Sequence, residues 1–160
     1  MGQSHTDQNV LDRIVLMFAR LAGVGKLPLL SGTAGSLVGT AAFVVFPDHG
    51  VIYAAVTLIV LFVSFPISSR AERILGQKDC KEIVIDDFAG ALVTFIFVPY
   101  SVSIAILGFC FFRFFDFFKV YPANRIEKFS GGWGVVGDDL VAGIYANLCL
   151  QLLIRIFPQL

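Results

Sequence analysis

Histidine is almost missing from this chain, with only His5 and His49 among 160 residues, and its three cysteines, Cys80, Cys110 and Cys149, stand far apart with no CxxC pair. A zinc site or a cysteine–histidine catalytic pair has no spacing to rest on, and scattered thiols in odd number build no disulfide framework. Charge is also scarce: 15% of residues are charged, the formal net charge is zero, and no Lys/Arg tract with interleaved aromatics occurs. That composition excludes the basic face on which nucleic acid binds, so no nucleic-acid partner is expected. The GxxxxGK[ST] nucleotide loop is absent. The opening MGQSHTDQN has no basic stretch ahead of an apolar run, so no removable signal peptide is expected.

Apolar side chains are what the chain has in excess: 57% of residues are hydrophobic and the mean hydropathy is +0.82. A soluble domain of this length cannot hide so much apolar surface, which points to a bilayer. Residues 1–9 read as a polar tail. Residues 10–22 mix apolar positions with Asp12, Arg13 and Arg20, too short and charged to span but suited to an amphipathic interfacial helix. A Gly/Pro/Ser break over 23–35 leads to a short uncharged helix over 36–46 and a turn at 47–50. Residues 51–69 form the clearest spanning run, and Arg70, Arg73, Lys78 and Lys81 mark its exit.

A second apolar run starts just after Asp86 and Asp87, breaks at Pro99, Tyr100 and Ser101, and resumes to Phe118, which predicts two helices in a hairpin. The last run, 140–157, is interrupted only by Asn147, Gln151 and Arg155 and predicts a final spanning helix. The expected fold is a single all-α domain over 1–160, an integral membrane helical bundle with about four to five membrane helices plus the N-terminal amphipathic helix. This topology brings the loops at 23–35, 70–87 and 113–139 to one face with nearly all the basic residues, leaving Arg155 opposite, so that face is expected to be cytoplasmic.

The same face collects Asp86, Asp87, Asp116, Asp138 and Asp139. Charged groups beside apolar runs cost roughly 2.5–3.5 kcal/mol each at a membrane helix centre, so they are usually functional or paired. Clustered carboxylates suit Mg²⁺, which takes oxygen ligands and keeps room for waters and phosphate oxygens. Capping of two helix starts is the structural alternative for Asp86/Asp87 and Asp138/Asp139, although one Asp per helix satisfies it. Asp116 stands three residues from both Arg113 and Lys119, a spacing that gives ordinary ion pairs or two cations for a phosphate. Residues 32–36, GTAGS, open a helix with the hydroxyls of Thr33 and Ser36, where backbone amides cradle an anion or simply cap. Residues 131–137, GGWGVVG, allow close backbone approach ahead of Asp138 or form a flexible turn. Membrane carboxylates also mark ion pathways, so a small transporter or ion-conducting subunit is the alternative class.

These residues resemble the bacterial phosphatidylglycerophosphatase A family over most of the chain. The resemblance lies in the order of a PGTxGS-like loop at 31–36, a DExxG motif at 86–90, an FRxxDxxKPxP stretch at 112–122 and a GGxGxxxDDxxAG stretch at 131–143. The chain departs from the pattern with Ser31 for Pro, Asp87 for Glu, Val120 for Pro and Gly137 for a larger apolar residue. The resemblance implies Mg²⁺-dependent hydrolysis of the phospholipid phosphatidylglycerophosphate to phosphatidylglycerol and phosphate at the cytoplasmic face of the bacterial inner membrane. Asp86, Asp87, Asp116, Asp138 and Asp139 are then the expected catalytic and metal-binding acids, and Thr33, Ser36, Arg113 and Lys119 the substrate-binding residues.

Overall fold

The structure, a computed structural model, describes residues 3–27, 30–46, 50–78 and 80–158, with side chains from residue 9 onward. The turn expected over Pro47, Asp48 and His49 lies outside the described residues. Regular structure among these residues is helical throughout: α1 (Gln3–Ala19), a 3-10 segment (Leu21–Lys26), α2 (Ser31–Val45), α3 (Gly50–Leu75), α4 (Ile85–Thr94), α5 (Val102–Phe118), the short α6 (Ala123–Ile126) and α7 (Gly132–Ile156).

Two of these helices, α3 and α7, are long and apolar enough to cross a membrane, and only 28% of each apolar window is buried inside the protein. Val51, Ile59 and Phe62 on α3 and Leu148, Leu152 and Ile156 on α7 are all exposed, leaving wide apolar faces that water would penalise. Helix α1 begins at Gln3, inside the stretch expected to be a polar tail, and ends at Ala19 rather than residue 22. It turns Ala19 into the core while Val10, Ile14 and Met17 form an exposed stripe at helical spacing. Arg70 ties α3 to it, donating from Nε and Nη2 to one Asp12 oxygen at 3.1 and 2.8 Å.

The short α4 lies at the centre, against α2 on one side and α7 on another. Small residues let the backbones meet. A Cβ on Gly39 would stand 2.8 Å from both Ala91 Cβ and the Phe88 carbonyl, and one on Gly90 would stand 2.7 Å from the Asp139 carbonyl. Close approach of this kind supplies the van der Waals contact on which helix association in an apolar solvent depends.

Helix α4 stops at Thr94, earlier than the Pro99 break, and the chain passes through a turn with Phe97 at φ 56° before α5 begins. Ending a helix inside an apolar bundle strands carbonyls that water cannot reach. Asn147 of α7 answers this by donating Nδ2 to the Thr94 and Ile96 carbonyls, both at 2.9 Å, and Gln151 fixes the amide by donating to Asn147 Oδ1 at 2.8 Å. Tyr53 of α3 donates to the Leu92 carbonyl at 2.9 Å. The polar residues that interrupt the last apolar run therefore hold the broken end of a neighbouring helix.

Two glycine-rich segments differ from expectation. Residues 32–36 are the first turns of α2, not a loop before it, and 132–137 are helical. Gly132 sits against the Phe65 carbonyl with no room for a Cβ, and its N–H donates to Ser69 Oγ at 2.6 Å. A hydroxyl from α3 thus caps α7 from outside, and the tight packing that glycine permits outweighs its poor helix propensity of about 1 kcal/mol.

Candidate active site

The starts of α2, α4 and α7, the end of α5 and the loop before α4 gather at one end of the bundle, around a pocket of about 290 Å³. Asp86, Asp87, Asp116, Asp138 and Asp139 all line it, with Arg113, Lys119 and Thr33. The structure therefore brings all five predicted acids together, but in two groups. One oxygen each from Asp86, Asp87 and Asp139 lies within 4.8 Å of the others. Asp116 and Asp138 stand outside that cluster in ion pairs with Arg113 and Lys119, and Asp87 belongs to both groups, since it also pairs with Arg113.

Asp86 and Asp87 occupy the first turn of α4, as a capping role also requires. Asp138 and Asp139 do not. Because α7 starts at Gly132, they sit two turns inside it, about 10 Å from its first residue, beyond the reach of cap or terminal dipole. Their burial needs another reason. Asp86, Asp138 and Asp139 are buried, and Asp86 Oδ1 and Asp138 Oδ1 have no hydrogen-bond partner among the described residues. Buried polar atoms are normally satisfied, so such orphans mark a place prepared for something else.

Arg113 organises one wall. Its Nη1 lies 2.8 Å from Asp87 Oδ1, 2.8 Å from Asp116 Oδ2 and 3.1 Å from Ser36 Oγ. Ser36 donates to the Gly32 carbonyl at 2.8 Å and stands 3.3 Å from Asp87 Oδ1. Gly32 is required beside it, since a Cβ there would meet Asp87 Oδ2 at 2.7 Å. Of the two hydroxyls expected to cradle an anion, Ser36 is already engaged with Asp87 and Arg113, whereas Thr33 lines the pocket. Ser31, the departure from proline, donates to the Lys81 carbonyl at 2.7 Å and fastens α2 to the loop before α4.

Lys119 forms the other wall from the C-cap of α5, in the left-handed conformation at φ 43°. Its Nζ reaches Asp138 Oδ2 at 2.7 Å and Glu127 Oε2 at 2.8 Å. Burial alone lowers an ammonium pKa, but hydrogen bonds to Asp138 and Glu127 outweigh it and hold Lys119 above its ordinary range. Glu127 is not among the residues that the sequence singles out. It sits there among Arg125, Lys128 and Ser130 with no apolar run beside it, and nothing separates it from a solvated loop acid.

With five carboxylates against three cations, Arg113, Lys119 and Lys81, the pocket carries an excess of negative charge that a hard cation would relieve. Two cations on opposite walls are in turn placed for an anion. Among the described residues the clustered acids are confined to this end and do not line a path along the bundle, as an ion-conducting subunit would require.

The family model described as phosphatidylglycerophosphatase A matches residues 17–154 of the chain. A protein of Haemophilus influenzae named phosphatidylglycerophosphatase A is 31% identical over 150 residues, covering 88% of this chain and 92% of its own length. Its namesake in Escherichia coli is 27% identical over 125 residues, covering 76% and 73%. A Bacteroides thetaiotaomicron protein that carries the provisional name phosphatidylinositol-3-phosphatase is 31% identical over 139 residues, covering 81% and 87%. No solved structure matches the chain.

Proposed function

The chain belongs to the phosphatidylglycerophosphatase A family of phosphatases, and on that premise we propose that it hydrolyses phosphatidylglycerophosphate to phosphatidylglycerol and phosphate, with Mg²⁺ as cofactor. The observation that carries the reading is the triad Asp86, Asp87 and Asp139, whose oxygens converge within 4.8 Å beside Arg113 and Lys119. An all-oxygen donor set with a buried, unpartnered Asp86 oxygen fits a hard divalent cation better than a soft one. These three acids would hold the metal. When bound, Mg²⁺ supplies charge neutralisation at the phosphoryl oxygens and activation of water.

The chain's own groups do the rest. Water oxygen bonds to phosphorus as the bond from phosphorus to the glycerol oxygen breaks, and the proton lost by water balances the one the glycerol oxygen gains. Arg113 and Lys119 face the charge that spreads over the equatorial oxygens. Asp116 and Asp138, expected as further ligands, hold those cations in place, and Glu127 shares the load on Lys119. Ser36 orients Asp87 and Arg113 together.

The membrane setting completes the proposal. Helices α3 and α7 cross the bilayer of the bacterial inner membrane, α2 and α5 reach into it, and α4 is a half-helix enclosed by the others, in one phosphatase domain. The acid pocket opens toward the cytoplasm, where Lys and Arg collect. Exposed Trp133, Phe129, Tyr121 and Phe117 around the pocket's end suit the headgroup level, which brings the pocket to the substrate's phosphate.

The test is phosphate release by the purified chain from phosphatidylglycerophosphate in detergent, with Mg²⁺, after chelation and after Mg²⁺ is restored. Release that stops and returns with the metal is expected. No release under any condition overturns the substrate assignment, and release unaffected by chelation overturns the cofactor. Phosphatidylinositol 3-phosphate, assayed in parallel, is expected to be the poorer substrate.

A further inference from the structure

Beside the acid pocket lies a second hollow of about 460 Å³ with the opposite charge. Arg20, Lys26 and Lys81 line it against a single carboxylate, Glu82, and Ser31 and Lys81 line both hollows. Its walls are firmly held. Arg20 pairs with Glu82 at 2.5 Å, the Val84 N–H donates to the Ala19 carbonyl at 2.9 Å, and Ser31 bonds the Lys81 carbonyl. Gly25 packs so tightly on the Glu82 carbonyl that no side chain fits there. Neither Lys26 nor Lys81 has an ion-pair partner among the described residues.

We propose that this basic hollow receives the phosphodiester of the substrate while its terminal phosphomonoester lies between Arg113 and Lys119. The inference rests on the lipid-phosphatase reading above and deepens it, making Lys26 and Lys81 determinants of substrate choice. A phosphodiester keeps one negative charge at any physiological pH, and among five carboxylates that charge is repelled. Phosphatidylglycerophosphate carries its diester one glycerol away from the monoester, and the shared edge at Ser31 and Lys81 puts a cationic hollow next to the reacting one. Phosphatidic acid has the monoester alone and gains nothing from the second hollow.

The experiment compares kcat/KM on both lipids in neutral detergent micelles with Mg²⁺, for the purified chain, the double variant Lys26→Gln/Lys81→Gln, and Lys78→Gln. Lys78 lies on the same face outside both hollows, donating to the Lys128 carbonyl. The unaltered chain is expected to prefer phosphatidylglycerophosphate by about tenfold or more, and the double variant to lose about tenfold on that lipid, mainly through KM. Because Lys81 also lines the acid pocket, the double variant is expected to lose some rate on phosphatidic acid but several-fold less than on phosphatidylglycerophosphate, and Lys78→Gln changes neither. Absence of the preference, no loss in the double variant, equal loss on both lipids, or an equal loss in Lys78→Gln, which marks general surface attraction, each overturns the proposal. If the unaltered chain releases phosphate from neither lipid, the phosphatase reading falls with it; an active chain indifferent to the double substitution sinks this inference alone.

Discussion

At its far end α4 leaves the carbonyls of Thr94 and Ile96 without helical partners, and Asn147 reaches across from α7 to satisfy both. At its near end α4 places Asp86, whose Oδ1 is as deeply buried and has no partner among the described residues. The same short helix thus buries polar atoms under two different rules. Where the requirement is only to end a helix inside an apolar bundle, neighbours are recruited until each group is bonded, because an orphan costs about 1–3 kcal/mol. Where carboxylates are left short of partners and packed against each other, the protein carries a cost that its stability does not explain, as sites that bind or react commonly do.

The sharpest way to break that comparison is to neutralise the acids. Asp86→Asn and Asp139→Asn are each expected to slow phosphate release by about 10³-fold, while the metal-free protein melts at the same or a higher temperature, since one charge of a repelling cluster is gone. Melting in detergent beside the activity assay checks both. Activity kept within a fewfold, or lost together with a marked drop in melting temperature, would move these acids to the structural class.

Asn147→Leu probes the opposite end and should reverse the pattern. Removing both hydrogen bonds is expected to cost about 2–4 kcal/mol of stability, read by denaturant unfolding in micelles, with the acid cluster's metal response intact in whatever protein remains folded. A smaller intermediate effect is expected from Arg113→Lys. Lysine keeps the charge, but its shorter ammonium has to replace the one nitrogen, Nη1, that meets Asp87, Asp116 and Ser36, and it lacks the further guanidinium N–H groups that can fork onto a phosphate, so activity should fall about 10- to 100-fold with little change in melting. An unchanged rate would show that charge alone suffices. The least effect belongs to Tyr53→Phe, expected to cost about 1 kcal/mol by removing one of the two donors to the Leu92 carbonyl, the Phe95 N–H remaining, and to leave kcat unaltered; a clear loss of activity would show that the far end controls the near one.

Much of the site is legible in the amino-acid order. The five aspartates stand out because apolar runs flank them, and the spacing of Arg113, Asp116 and Lys119 suggests ion pairs or two cations for a phosphate. The boundary of α7 is not legible in the same way. Glycines at 131, 132, 134 and 137 read as a loop because glycine weakens isolated helices, whereas here the missing side chains at 132, 134 and 137 let α7 press against Phe65, Phe129 and Ile126. That shift carries Asp138 and Asp139 two turns inward and removes capping as their explanation. Glu127 escapes for the opposite reason, lying in a short polar stretch that only the fold brings under Lys119.

Sequence by itself determined that the chain is helical and unusually apolar, that its acids fall together in a few motifs, and that their order is that of a phosphatase family. These follow from local quantities: hydropathy, periodicity and motif spacing. Tertiary structure alone decided which acids converge, which are tied to cations and that Asp87 is both, that Asn147 and Gln151 serve a neighbouring helix end, and that a basic hollow adjoins the acid pocket. Each depends on side-chain atoms meeting within a few ångströms across residues distant in the chain, as Asp87 and Asp139 do, and such distances are set only when helices pack through their small residues.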